Sequence, residues 1–377
     1  MADGHGGNVL YGVPHSLYTG VARCYLRTQG IGYVERPPSD PVFSGQIMPA
    51  IGRSIIPVLV TADGDIIQDS LDIIDHFEAG GVPYSAYPTG PLQRVVAIVV
   101  QYYGSQAMLR HAMHYRWSYL DDQADFMRHA FALGAGAAQA EKVMARMHSY
   151  LPHLGVTDAT IPLIERSFED LLDILEAHFT EHPYLLGGRP SIADYGLIGP
   201  MFAHLGRDPV PAGIMKRRAP RVYRWVERMT APGLDVPEFA DYGAEFVLDD
   251  AIPATLEPLL AHIAQEIFPE LTDKLAFMDA HVADIQPQDG QPVAAKPHQR
   301  HVGQVETRFR GASVNAGVEP YLVYVLRRAD RVVEQLDDAG RAKVLDDLGR
   351  FGLARALPGK RGYSVGRRNH IEVWERG

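Results

Sequence analysis

A proline at the point where a strand should begin constrains this chain more than any other feature. Ser54-Ile55-Ile56-Pro57-Val58-Leu59 is an apolar run that stops at proline and then resumes as a strand. Proline lacks the N–H that a ladder needs and is normally kept out of strand interiors. The pattern fits a cis Ile56–Pro57 peptide at the start of an edge strand. A cis proline there turns the Ile56 N–H and C=O outward, where an extended peptide can pair with them as an added strand. After a short hairpin, Gln68-Asp69-Ser70 places an Asp-Ser pair at a helix N-terminus, which suits a carboxylate. The two segments together point to a receptor for a small anionic peptide; read alone, Asp-Ser before an apolar helix is only a cap.

The surrounding residues supply a frame for that receptor. Asn8 to Gly12 reads as a strand, Ser16 to Gln29 as a helix closed by Gly30, and Gly32 to Arg36 as a second strand. Phe43 to Ile51 reads as a short irregular helix interrupted by Pro49. Pro57 to Thr61 and Asp65 to Ile67 flank the turn Ala62-Asp63-Gly64. Ser70 to Glu78 is amphipathic, with Leu71, Ile73, Ile74 and Phe77 on its buried side. The order β-α-β-α-β-β-α is the thioredoxin-like plan, with a crossover first and a hairpin second. Helical patterns follow over Leu92–Leu120, Gln123–His148 with a break at Gly134–Ala138, Ile161–Thr180, Ile192–Leu205 and Val222–Met229. From Pro237 onward, Ala254–Asp279, Pro320–Leu336 and Ala339–Leu348 read as helices. Gln286–Pro297 reads as a connector, and Tyr363–Val365 with His370–Trp374 as a closing pair of short strands.

Bulk properties exclude several classes. The 377 residues suffice for two or three domains, and no apolar run is long enough to span a bilayer. Met1 to Gly7 lacks a charged-then-apolar leader pattern, and a single cysteine fits a reducing compartment, so a cytoplasmic protein is expected. A net charge of −10 argues against nucleic acid as a partner. His111 and His114 share a helix face, but no third ligand stands at helical spacing, so no metal site is expected.

Three separated motifs resemble the glutathione S-transferase family. Ser16-Leu17-Tyr18 opens a helix as the serine-type members do, although Leu17 stands where they often have proline. Ile56-Pro57 with Asp69-Ser70 is the second motif. Tyr184 to Asp194 is the third, with Ser191 as cap and Asp194 closing a capping box. Pro200-Met201-Phe202 and Trp225 follow in order. The resemblance covers residues 8 to about 235. It implies a thioredoxin-like glutathione-binding domain at 8–82, an all-helical domain at 91–235 and a mainly helical extension at 236–377. The fold class is thus α/β plus all-α.

Glutathione is the co-substrate the resemblance implies. Its thiol ionises near ~8.5, so a helix N-terminus and a hydroxyl donor are needed to favour the thiolate. Ser16 is the leading candidate donor, with Tyr18, Thr19 and Tyr11 as alternatives; in the plainer reading Ser16 is only an N-cap. Ser70 would take the γ-glutamyl carboxylate, Asp69 the amino group, and Ile56 would contribute backbone only. Arg53 and Gln68 could reach the glycine end or the peptide carbonyls. Cys24 lies eight residues into the helix and reads as a packing residue.

A small electrophile, aromatic or acidic, would sit against the first long helix, where Gln101, Tyr102, Tyr103, Met108, Arg110, His111, His114, Tyr115, Arg116 and Trp117 give unusual polarity. The implied partner is a second copy of the chain. Two alternatives stay open: a non-catalytic glutathione-binding or scaffold protein, and a glutathione-dependent lyase or isomerase. The extension carries no functional motif and reads as a covering or dimer-stabilising element. Its arginine-rich end, residues 355–376, reads as a solvated tail that pairs with the acidic body.

Overall fold

The computed structural model describes residues 7–233 and 236–377. The opening residues read above for a leader pattern, and the far boundary of the middle unit at 235, lie outside the described residues. The first unit contains β1 (Asn8–Tyr11), α1 (Leu17–Thr28), β2 (Tyr33–Arg36), α2 (Met48–Ile51), β3 (Val58–Val60), β4 (Ile66–Gln68) and α3 (Ser70–Gly80). Its sheet has the order β2-β1-β3-β4. β1 runs parallel to β2 with Val9 opposite Val34, as the α1 crossover requires. β1 and β3 are antiparallel with Leu10 opposite Leu59, and β3 returns through the Gly64 turn (φ 91°) to pair Leu59 with Ile67. Leu10 and Leu59 are fully buried, so the register puts one face of the sheet in the core.

The helical unit contains α4 (Pro91–Tyr102), α5 (Leu109–Trp117), α6 (Leu120–Ala135), α7 (Ala137–His148), α8 (Ile161–His178), α9 (Ile192–Ala203), α10 (Pro209–Arg218) and α11 (Pro220–Thr230). The first long helix read from sequence divides at a π-turn over residues 103–107. There Gly104 meets Gly196 of α9 backbone to backbone, and a Cβ on Gly104 would fall 2.6 Å from the Gly196 carbonyl. The break expected near Gly134–Ala138 lies at Gly136 (φ 80°). α10 went unread in the sequence.

The extension contains α12 (Glu257–Ile285), β5 (Gly303–Phe309), β6 (Ala312–Val318), α13 (Tyr321–Glu334), α14 (Asp338–Arg350), β7 (Tyr363–Arg368) and β8 (Ile371–Arg376). The pairs β5–β6 and β7–β8 are antiparallel hairpins, and the first was not foreseen. Both turns use two residues at positive φ, Arg310-Gly311 and Asn369-His370, which matches the right-handed twist of the strands they join. One apolar cluster runs from Leu10 through Tyr103, Trp225, Leu260 and Leu326 to Trp374, so the extension shares the core of the first two units. Among the described residues, no helix is long and apolar enough to cross a membrane.

The extension also docks on α3. Asp69, Asp72 and Asp75 stand about one turn apart along that helix. Tyr321, Tyr324 and Arg328 stand on the matching face of α13. The Tyr321 hydroxyl donates to Asp69 at 3.0 Å, the Tyr324 hydroxyl donates to Asp72, and Arg328 donates to Asp75 at 2.6 Å.

Candidate functional site

Ile56, Pro57, Asp69 and Ser70 line one cavity, as the sequence expectation grouped them. The Ile56–Pro57 peptide is cis. Neither the N–H nor the C=O of Ile56 bonds to another group among the described residues. Asp69 caps α3, accepting the Leu71 N–H at 2.8 Å, with its backbone at φ 96°. Ser70, at the first position of the helix, is buried against the cavity, and no hydrogen bond engages its hydroxyl among the described residues.

The start of α1 contributes differently from the expectation. The Ser16 hydroxyl accepts the Thr19 N–H at 3.3 Å as an N-cap, and Ser16 is not on the cavity wall. Tyr18, one of the alternatives, is on the wall. Burial pushes its phenol up, against the opposing pull of Arg300, so Tyr18 stays protonated and able to donate. The Arg300 guanidinium lies 5.9 Å from the Tyr18 ring. Tyr11 packs on Phe43 in a separate cluster with Ile47 and Ile51. Cys24 is buried inside α1, and burial pushes its thiol up to about 12.

Arg53, Ile55, Gln68 and Gln106 complete this side of the wall, and the facing side comes from the extension: Val293, Gln299, Arg300, Glu319, Pro320, Tyr321 and Glu372. Sequence reasoning missed all of those on the facing side, because they lie more than 200 residues from Ser70 and no local motif marks them. Arg53 donates to Gln68 Oε1 at 2.6 Å, to Glu372 at 2.8 and 3.1 Å, and to the His370 carbonyl at 2.6 Å. Burial alone would push the Glu372 carboxyl up. The hydrogen bonds from Arg53, with the charges of Arg367 and Arg53, outweigh it and hold the carboxyl down at about 2. Arg367 donates to Asp72 at 2.6 Å, to Glu372 at 2.9 Å, to the Gln68 carbonyl at 3.1 Å and to Asp69 at 3.4 Å. The solvated tail expected at the chain end is therefore wrong for Arg367, whose side chain is 8% exposed. Pairing with acidic residues does occur, and at Arg367 it takes place inside the site.

The cavity encloses about 60 Å³. A second one, also about 60 Å³, adjoins it and shares Gln106 and Glu319. Tyr102 and Arg110 reach it from the first long helix, and Glu266, Glu270, Lys274 and Leu322 from the extension. Lys274 bridges Glu270 and Glu319 at 2.7 Å each, and Arg110 holds Glu270 at 2.8 Å. Most of the polarity read on the long helix is spent inside the protein. His111 pairs with Ser167 at 2.8 Å, His114 with Ser118 and Glu165 at 2.9 and 3.1 Å, and Arg116 with Asp208 at 2.7 Å.

Comparison with known proteins finds matches to two family models. Residues 10–80 match the model of the glutathione S-transferase N-terminal domain, and residues 158–228 that of the glutathione S-transferase C-terminal domain. Among solved structures, a glutathione S-transferase from Xanthobacter autotrophicus is 23% identical, covering 61% of this chain and 96% of its own, with a TM-score of 0.37. Glutathione transferase GSTFuA3 from Phanerochaete chrysosporium is 15% identical, covering 61% and 98%, with a TM-score of 0.43. Rice GST1 in complex with glutathione is 19% identical, covering 62% and 93%, with a TM-score of 0.31. No curated protein matches the chain in sequence.

Proposed function

Because the chain belongs to the glutathione S-transferase family, we propose that it is a glutathione-dependent transferase that activates the thiolate for attack on a small electrophile. The observation that carries the reading is the convergence of the free Ile56 backbone, the Asp69 cap and the unengaged Ser70 hydroxyl on one cavity. Ser70 and the start of α3 offer donors to the γ-glutamyl carboxylate, and Asp69 offers an acceptor to the amino group. The Ile56 N–H and C=O pair with the peptide backbone, beside Pro57. The sulfur then lies toward the start of α1. Of the hydroxyls there, Tyr18 faces the cavity while Ser16 caps the helix, so Tyr18 is the better-supported donor and Ser16 its rival. In the reaction the thiolate sulfur bonds to the electrophilic carbon, the leaving group departs with the bonding pair, and the thiol proton goes to solvent. The adjoining chamber floored by Gln106 is the proposed place of the electrophile.

The non-catalytic alternative has one observation in its favour. A cavity of about 60 Å³ is well below the ~300 Å³ at which small-molecule sites begin. Glutathione held wholly within that space would need part of the extension displaced. The proposal includes a reducing cytoplasm, a homodimer, and the division into units at 8–82, 91–235 and 236–377. Light scattering at the monomer mass would remove the homodimer.

Calorimetric titration of glutathione into wild type and Ser70→Ala tests the site. The variant is expected to bind about tenfold or more weakly, the loss from removing a donor to a charged group. Equal affinity in the two proteins would move the ligand elsewhere. Turnover across an electrophile panel then separates Tyr18→Phe from Ser16→Ala, and no turnover with binding intact would establish the non-catalytic alternative.

A further inference from the structure

The tip of the β7–β8 hairpin sits on the receptor with the charges of a ligand. Arg367 presents a guanidinium to Asp69, and Glu372 presents a carboxylate to Arg53, at 3.4 and 2.8 Å. The two side chains are themselves joined at 2.9 Å, so cation and anion travel as one pair across Gln68-Asp69. Glutathione offers the same pair of charges, its γ-glutamyl ammonium for the aspartate and its glycine carboxylate for a guanidinium. The tip also fills the donor and acceptor capacity that such a peptide would use at Asp69 and Arg53. Arg53 is engaged by the Glu372 carboxylate and the His370 carbonyl, and Asp69 by Tyr321, Arg367 and its own helix. What the tip leaves open is what it does not reach: the Ser70 hydroxyl and the Ile56 backbone.

The hairpin is built to act this way. Its root is locked in the core through Val365, Val373 and Trp374, each at most 3% exposed. Its turn, Arg368-Asn369, is exposed, and Asn369 and His370 carry the positive φ values of a tight reversal. The pair next to the turn, Arg367 and Glu372, parts from α3 with that root in place once the Glu372 carbonyl also releases the Val293 N–H.

We propose that the β7–β8 tip is an internal competitive ligand of the glutathione site, an autoinhibitory contact in which Arg367 occupies the place of the peptide's ammonium at Asp69 and Glu372 that of its glycine carboxylate at Arg53. This rests on the glutathione reading above. An incoming ligand must exchange its ammonium for Arg367 and its carboxylate for Glu372. Its apparent affinity is then reduced by the fraction of molecules in which the tip has let go.

The test uses the full chain. Glutathione is titrated calorimetrically into wild type, Glu372→Gln, and Glu372→Gln combined with Ser70→Ala, and amide hydrogen exchange of residues 366–373 is followed with and without saturating glutathione. Glu372→Gln is expected to bind at least about tenfold tighter than wild type, because weakening the tip raises the open fraction. Adding Ser70→Ala should remove the gain, and glutathione should speed exchange at the tip of the wild type. If glutathione binds wild type and Glu372→Gln within twofold and the tip stays protected, the autoinhibitory contact is refuted while the glutathione site stands. Should neither protein bind glutathione, the glutathione reading falls and takes this inference with it. If Glu372→Gln does not fold, exchange in the wild type decides alone: faster exchange with glutathione supports displacement, and unchanged exchange refutes it.

Discussion

Replacing Asp194 by alanine should be among the most damaging single changes to the helical unit. The side chain is fully buried at the start of α9. Oδ1 accepts the Leu185 N–H at 3.0 Å and the Trp225 indole N–H at 3.2 Å. Oδ2 accepts the Ser191 N–H and the Ser191 hydroxyl, both at 2.9 Å. One carboxylate therefore ties the loop before α9, the α9 cap and α11. Alanine leaves these donors buried without partners, at ~1–3 kcal/mol each. Against that, burial pushes the Asp194 carboxyl up despite its hydrogen bonds, so the charge is itself costly and removing it returns part of the loss. The balance should be a destabilisation of about 3–5 kcal/mol, the range for breaking a buried charged network. Urea unfolding followed by tryptophan fluorescence reads it. With an m-value of roughly 3 kcal/mol/M, the midpoint should fall by about 1–1.7 M. Asp194→Asn keeps the volume but turns an amide donor toward at least one existing donor, so it should recover less than half of the loss. A midpoint within about 0.3 M of wild type for Asp194→Ala would refute the reasoning. The consequence reaches the site, because α9 packs on α1 and α4, which carry Tyr18 and lead into the turn bearing Gln106.

Two further outcomes follow from burial. Cys24, with its thiol pushed up to about 12 by burial, should resist a chromogenic disulfide in the native protein and titrate as one thiol after unfolding; fast native labelling would contradict its packing role. Burial lowers His178 and His262 to about 4 and His15 to about 3, so as pH falls below about 6.5 the unfolded chain takes up protons before the folded one. The stability these neutral histidines contribute is complete above pH 6.5 and is lost on the way down to pH 4 and 3, up to about 3 kcal/mol for each of His178 and His262. A melting temperature that stays flat from pH 7 to pH 4.5 would contradict this.

The legible features were those whose cause is local. The proline at 57 forbids a normal ladder, Ser191 with Asp194 is a complete cap within one turn, and the periodic helices reveal their buried faces. The unforeseen features have distant causes. α4 ends at Tyr102 because Gly104 and Gly196 touch, a contact between helices 92 residues apart that no window around Gly104 contains. The β5–β6 hairpin turns at Arg310-Gly311, where arginine at φ 46° replaces the usual Asn or Asp signal. Spacing could group Ile56, Pro57, Asp69 and Ser70, since all follow one strand pair. It could not separate Ser16 from Tyr18, because which side chain at a helix start faces a cavity depends on how the helix is rotated against its sheet. Tyr321, Arg367 and Glu372 were out of reach altogether.

The acidic stripe on α3 explains why such an extension settles where it does. Asp69 and Asp72 favour the positive N-terminal end of the helix, but like charges one turn apart repel by ~0.2–0.5 kcal/mol per pair, and Asp75 lies beyond the dipole's reach. Arg367 and Arg328 supply the missing cations, and Tyr321 and Tyr324 the missing donors. A zwitterionic ligand exchanges like for like in charge with the tip, so charge alone gives it little advantage. The tip also has the benefit of its tether, since a segment held on a short loop acts at an effective concentration in the millimolar range. A free ligand must therefore be present near that concentration, or gain from contacts the tip cannot make. The Ser70 hydroxyl and the Ile56 backbone are such contacts, and they are what would let a tripeptide displace a protein's own side chains.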